Sequence, residues 1–261
     1  MSRKSAIACL ARTRTEYPTL ISMATSVSKH IYNKDVYDFI IFHEDSMLPE
    51  QRVIIQQGVP EMPIKFINVQ KDFEPAPIPQ RGRWSWCHDL SLVWGIGYRH
   101  MCKFWFDGFL KYVNDYKYVI RIDDDCIIKE FPRDMLLDME KKNIHYITPW
   151  MDDDFREYPP VYIGLEECLS TFCRESGREG RIITKGSPYT NISLIDIEYF
   201  KNLDLFKKWC DIVDSDNGIY VSRWGDNWLW GLFLKNFLSS EEWAEDKRIK
   251  YYHGSHDRMV N

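Results

Sequence analysis

The feature that most narrows the fold is an alternation of short apolar runs with helix-spaced segments through the first 150 residues. Residues 6–10 read as a first strand. Residues 18–32 open on a proline and repeat Leu20, Met23 and Val27 at helical spacing. Residues 37–42 (YDFIIF) form a second strand closed by His43-Glu44-Asp45; 49–57 read as a helix and 64–69 as a third strand. Such β-α-β repeats predict a parallel sheet covered by helices. A long helix is expected over 87–113, a strand over 116–122, a helix over 132–142 and a strand over 144–147. Later come a strand at 192–197, helices at 198–213 and 224–238, and a short strand at 249–252. No internal repeat interrupts the order. The expectation is one α/β domain over 1–261, with a loop at 70–88 and an insertion or lid at about 151–188.

Composition excludes several classes. A formal charge of −5 argues against nucleic acid, which needs a basic face to displace counterions. No apolar run approaches the roughly 18 residues of a membrane span. The opening MSRKSAIACLARTRTEY is too short in its apolar stretch for a signal peptide. The seven cysteines are scattered and contain no CxxC pair, so zinc and redox frameworks are unsupported and free buried thiols fit. Asn191-Ile192-Ser193 is a glycosylation sequon in a segment read below as part of the active site, where a glycan would be awkward. Together these point to a soluble, cytoplasmic protein.

The chemistry begins at Asp123-Asp124-Asp125, which follows the strand at 116–122. Ligands of open α/β sheets sit outside the carboxyl ends of strands. In an extended segment Asp123 and Asp125 point the same way, so both can face one divalent cation and a nucleotide diphosphate. Short acidic runs also cap helices or face water; Asp152 to Asp154, with no such strand before it, is read as solvated loop. His253 ends the last strand in KYYHGSH and can supply an imidazole ligand. A mixed oxygen and nitrogen site suits Mn²⁺ better than Mg²⁺, which is the second candidate.

Three stretches share their order and wording with one family. Tyr98-Arg99-His100-Met101-Cys102, then Arg223-Trp224-Gly225-Asp226 after Gly218-Ile219-Tyr220, then Tyr251-Tyr252-His253, resemble the fungal Golgi α-1,2-mannosyltransferases. Leu10 to Thr13 looks like that family's opening, and the likeness runs from about residue 5 to 256. The resemblance implies a GT-A fold, a GDP-mannose donor, Mn²⁺, and transfer to a glycan or glycoprotein with retention of configuration. Carried over by position, Asp125 and His253 approach the metal with Asp123 beside them. Arg12 and Tyr98 lie on the donor side, and Asp226 holds or deprotonates the acceptor hydroxyl. Asp45, Arg121, Asp123 and Asp124 complete the candidate nucleotide contacts.

The departures matter as much. Where the family has Asn-Phe-Glu, with Glu as proposed nucleophile, this chain has Asn191-Ile192-Ser193. An unassisted serine hydroxyl is a poor substitute for a carboxylate. Either Ser193 is activated, or Asp196 or Glu198 replaces it, or no covalent intermediate forms. The family's Glu-Pro-x triplet is Asp123-Asp124-Asp125 here, which leaves a UDP-sugar donor open. The family's members are membrane-anchored, whereas no anchor is read here, so the chain looks like a soluble, viral or microbial variant. The competing classes are a metal-dependent phosphohydrolase, with His43, Glu44 and Asp45 as added ligands, and a sugar-binding module without catalysis.

Overall fold

The structure is a computed structural model that describes residues 4–11, 17–74, 95–152, 163–177, 183 and 185–260. Along the chain run β1 (Ser5–Leu10), α1 (Tyr17–His30), β2 (Tyr37–His43), α2 (Pro49–Gly58), β3 (Ile64–Asn68) and α3 (Gly95–Phe106). Then come β4 (Tyr118–Ile122), β5 (Cys126–Glu130), α4 (Met135–Lys142), β6 (Tyr146–Thr148), β7 (Met151–Asp152) and α5 (Leu165–Glu175). The remainder is β8 (Ser187–Pro188), β9 (Ile192–Asp196), α6 (Ile197–Asn202), α7 (Asp204–Asp216), α8 (Gly218–Val221), α9 (Asp226–Phe237), β10 (Trp243–Glu245), β11 (Lys250–His253) and β12 (Arg258–Val260).

The central sheet has the order β10-β6-β9-β4-β1-β2-β3. It is parallel except for β9, which runs against both β4 and β6. β1 and β4 are buried at every residue, as expected of strands covered on both faces. One face packs mainly aromatic side chains from α3, α5, α7 and α9; the other packs mainly aliphatic ones from α1, α2 and α4. Because β9 is reversed, its first residues lie beside the end of β4, with Ile122 opposite Ile192 and Arg121 opposite Ser193. A second sheet, β12-β11-β5, carries the chain beyond the β4 end and back.

The helix expected over 198–213 is two helices. Leu203 is extended, with φ −78° and ψ 104°. In one continuous helix Phe200 and Phe206 would point about 120° apart. The break lets both reach Trp230, with ring centroids 5.0 and 4.9 Å away. The 87–113 helix is α3 followed by a 3₁₀ turn, Gly108–Tyr112; its expected start lies outside the described residues. Within 151–188, read as a lid, α5 is a core helix: Leu165, Cys168, Leu169, Phe172 and Cys173 are buried, and Phe172 packs on Trp209 and Phe237. The acidic run at Asp152 and the glycine-rich charged stretches at 177–181 and 184–188, not α5 itself, gave the segment its loop-like appearance. Among the described residues no helix is long and apolar enough to cross a membrane.

At the opposite end of the sheet Asp38 binds Lys4 and Lys65, each at 2.6 Å, and accepts from the Tyr116 hydroxyl at 2.8 Å. Burial by itself would raise its pKa, but these three donors bring it down to about 2. A carboxyl held low stabilises the fold above its unfolded pKa and loses that contribution as pH falls through the folded value. Asp38→Asn should therefore cost about 1 kcal/mol at neutral pH. Urea melts of the two proteins should converge as the pH approaches 2.

Candidate metal and nucleotide-sugar site

β4 ends in a tight turn, in which the Cys126 amide donates to the Asp123 carbonyl at 3.1 Å. β5 then pairs antiparallel with β11, which sets Cys126 opposite His253. That register brings Asp125 Oδ1 to 3.5 Å from His253 Nε2. The pair joins residues far apart in sequence, and both are buried. Asp125 is anchored by the Ser255 amide, which donates to Oδ2 at 3.0 Å, and by the Ser255 hydroxyl. The Tyr189 hydroxyl lies 2.8 Å from His253 Nδ1 and orients the ring, leaving Nε2 toward the carboxylates.

Asp125, Cys126 and His253 each offer a ligand atom within 4.8 Å of the others. Burial, then Asp123 and Asp125, push the Cys126 thiol well above its ordinary range. The Asp125 carboxylate and the His253 imidazole form an O/N donor pair of a kind that fits Mn²⁺. Asp123 joins them through Asn191, whose Nδ2 donates to Asp123 Oδ2 at 3.0 Å and lies 3.3 Å from His253 Nε2.

Arg121 organises the other side. Its Nε and Nη2 donate to Asp123 Oδ1 at 3.3 and 3.2 Å, and its Nη1 donates to Asp226. The guanidinium lies 4.6 Å from the centroid of the Trp105 ring, so α3 provides its floor. Burial raises the Asp123 pKa, Arg121 opposes that, and Asp226, Asp125 and Asp124 add to it. Arg121 thus bridges two of these carboxylates, and a divalent cation would offset the negative charge that gathers around Asp123.

Asp226 opens α9 and is buried against Arg121. Its neighbour Trp224 is fully buried and donates its indole N–H to the Ile163 carbonyl at 2.9 Å. Arg223 takes a left-handed φ of 64° and lies 5.7 Å from the centroid of the Tyr98 ring. Tyr98, one turn before Cys102 on α3, is pushed well above the ordinary phenol range by that sulfur, by burial and by Asp226. It is a neutral hydrogen-bond donor at the edge of the cluster.

Not every expected residue arrives. Ser193 is fully buried, and its hydroxyl is 2.8 Å from that of Tyr146, so it packs beneath Arg121 instead of facing substrate as a nucleophile. Asp45 is exposed beyond β2, two strands from β4, where its Oδ1 accepts from Asn68 at 2.6 Å; it is not part of the cluster. Asp124 is buried within the turn. Arg12 lies outside the described residues. Asn191, Tyr189 and Ser255 are the residues that sequence reasoning passed over. Asn191 carried a signal as the first residue of the Asn-Ile-Ser match, and Tyr189 stands two positions before it.

No protein-family model matches the chain. In sequence it is 21% identical, over 92% of its length, to "Probable mannosyltransferase KTR3" of Saccharomyces cerevisiae. It is 22% identical, over 63% of its length, to "Glycolipid 2-alpha-mannosyltransferase 1" of Candida albicans. The chain is thus similar in sequence to these two fungal proteins. It spans 64% and 42% of the length of these two relatives. Among solved structures, the mannosyltransferase Ktr4p of S. cerevisiae bound to GDP superimposes with a TM-score of 0.82 at 19% identity, over 96% of this chain and 71% of that one. Core-mannan synthase A of Aspergillus fumigatus, in its Mn/GDP form, gives 0.80 at 17% identity, over 96% and 74%. The fold is GT-A-like, as the sequence resemblance implied.

Gly218 supports this site from behind, because a Cβ there would overlap the Trp224 indole. Trp224 is fully buried and has no room to retreat. Gly218→Ala should lower stability by about 1–3 kcal/mol in urea melts.

Proposed function

We propose that this chain is a metal-dependent glycosyltransferase. It moves mannose, or a related sugar, from a GDP-linked donor to a glycan acceptor with retention of configuration. The observation that carries the reading is the approach of Asp125 Oδ1 to His253 Nε2 at 3.5 Å, at the end of a central strand. GDP and Mn in the solved relatives support the choice of nucleotide and metal. Asp125 and His253 would hold the cation, with Asp123 beside them. When bound, the cation stabilises the negative charge that develops on the departing diphosphate.

The protein's own groups divide the remaining work. Tyr98 offers a neutral hydroxyl that can donate to a phosphate oxygen. Arg121 fixes Asp226 in one orientation, from which it accepts a hydrogen bond from the incoming acceptor hydroxyl. Since Ser193 is bonded to Tyr146, the reading includes no covalent glycosyl-enzyme. Leaving group and acceptor then share one face of an oxocarbenium-like sugar, and electrostatic stabilisation is the dominant contribution. The described cysteines are free and mostly buried, which supports a reducing compartment such as the cytoplasm.

Thermal melts with GDP, UDP, inorganic phosphate or free mannose, each with and without Mn²⁺, test the class. At ~100 Kd the right nucleotide adds roughly 2.7 kcal/mol. Stabilisation by GDP that requires Mn²⁺ is expected. UDP in its place changes the donor, phosphate alone points to a phosphohydrolase, and mannose alone to a sugar-binding module. Asp125→Ala should abolish the Mn²⁺-dependent part of the shift, and retention of it would remove Asp125 from the metal site. Asp226→Asn should slow transfer by about 100-fold or more while keeping the GDP shift. Equal loss of both would move Asp226 to the donor side.

A further inference from the structure

Asn191 has a place in the site that the metal and nucleotide assignments leave unexplained. Its Nδ2 stands 3.0 Å from Asp123 Oδ2 and 3.3 Å from His253 Nε2. A carboxylate only accepts hydrogen bonds, so the amide nitrogen, not the oxygen, must face Asp123. With the ring proton on Nδ1, toward Tyr189, His253 Nε2 presents a lone pair to the same nitrogen. The two lone pairs that a cation would claim are thus both occupied by one NH₂ group.

The other end of the amide is the anomaly. Asn191 Oδ1 is buried and has no hydrogen-bond partner. Buried amide oxygens are nearly always paired, and leaving one unpaired costs free energy. The backbone is held independently, since the Asn191 carbonyl accepts from the Asp123 amide at 2.8 Å. The side chain can therefore turn without moving β9. A half-turn about the last side-chain bond exchanges nitrogen and oxygen in place. The oxygen then lies about as far from Asp123 Oδ2 and His253 Nε2 as the nitrogen now does. Two ligands at ~2.2 Å in adjacent octahedral positions are ~3.1 Å apart, so this spacing suits neighbours on one metal ion.

We propose that the Asn191 amide is a placeholder that turns over when the cation binds. Its NH₂ group holds Asp123 and His253 together beforehand, and its oxygen then becomes a protein ligand beside Asp123, Asp125 and His253. This rests on the metal-site reading above. The amide screens the carboxylate cluster without contributing a charge of its own; turning over gives its unpaired oxygen a partner but takes the NH₂ group away from Asp123 and His253, so the exchange is favourable only with the cation bound.

Calorimetric titration of Mn²⁺ into the intact chain, with no donor present, tests it; thermal melts with and without Mn²⁺ on the same samples give a second readout. Asn191→Ala is expected to weaken Mn²⁺ binding by about 10- to 100-fold. Asn191→Asp keeps an oxygen at the position but loses the donor. It is expected to bind Mn²⁺ at least as tightly as the parent, to melt lower without metal, and to gain more on adding it. The proposal is overturned if Asn191→Ala binds Mn²⁺ within about threefold of the parent, or if Asn191→Asp binds as weakly as Asn191→Ala. Asp125→Ala separates the two levels: if it too binds like the parent, or the parent does not bind Mn²⁺, the metal site itself is wrong. Loss with Asp125→Ala alone rejects only the role of Asn191. Far-UV circular dichroism of each variant confirms that it is folded before titration.

Discussion

The crowding of negative charge at the end of β4 is the constraint on which the rest of the site depends. Asp123, Asp124, Asp125 and Asp226 converge there, and the Arg121 guanidinium pairs with Asp123 and Asp226. Like charges at this spacing are tolerated only with a counter-charge or a fixed donor for each. The structure provides donors one by one. The Ser255 amide and hydroxyl serve Asp125, the Asn191 amide serves Asp123, and Arg121 spans Asp123 and Asp226. Each donor comes from a different element, so the cluster ties β4, β9, α9 and the segment after β11 into one unit.

The antiparallel β9 is what makes this convergence geometric. A parallel strand at that position would present its last residues to the site and carry Asn191 to the opposite end of the sheet. Reversal puts Tyr189 and Asn191 beside Asp123 and His253, and places Ser193 under Arg121. There the Ser193 hydroxyl meets that of Tyr146 at 2.8 Å. The hydroxyl at Ser193 and the pairing of Arg121 with Asp226 form one consistent arrangement. A guanidinium facing a serine would need its counter-charge from elsewhere, and Asp226 supplies it.

Much of this could be read from the chain, because local patterns encode elements well. The apolar runs at 6–10, 37–42 and 64–69 became β1, β2 and β3 with shifts of one residue at most at either end. The aspartates stood at a strand end because YVIRI is so plainly a strand, and His253 was legible from the strand before it. Nothing local marks the direction of β9, or the partnership of Tyr146 with Ser193, 47 positions away. The break at Leu203 answers to Trp230, which the sequence of 198–213 does not contain. How far Asp45 lies from the carboxylate cluster was not legible either, because a strand-end carboxylate looks the same whether its strand adjoins β4 or lies two strands away. The core role of α5 was hidden because acidic and glycine-rich stretches flank it on both sides, while its buried stripe has meaning only against α7 and α9.

The antiparallel pairing of β5 with β11 also sets an order of assembly. Every strand of the central sheet precedes β11 in the chain, so a polypeptide emerging from the ribosome can complete that sheet before residue 253 has been synthesised. Until β11 docks, Asp125 has neither its imidazole neighbour nor its serine anchor. The surroundings of Asp125 are therefore completed late, by β11 and the turn that follows it.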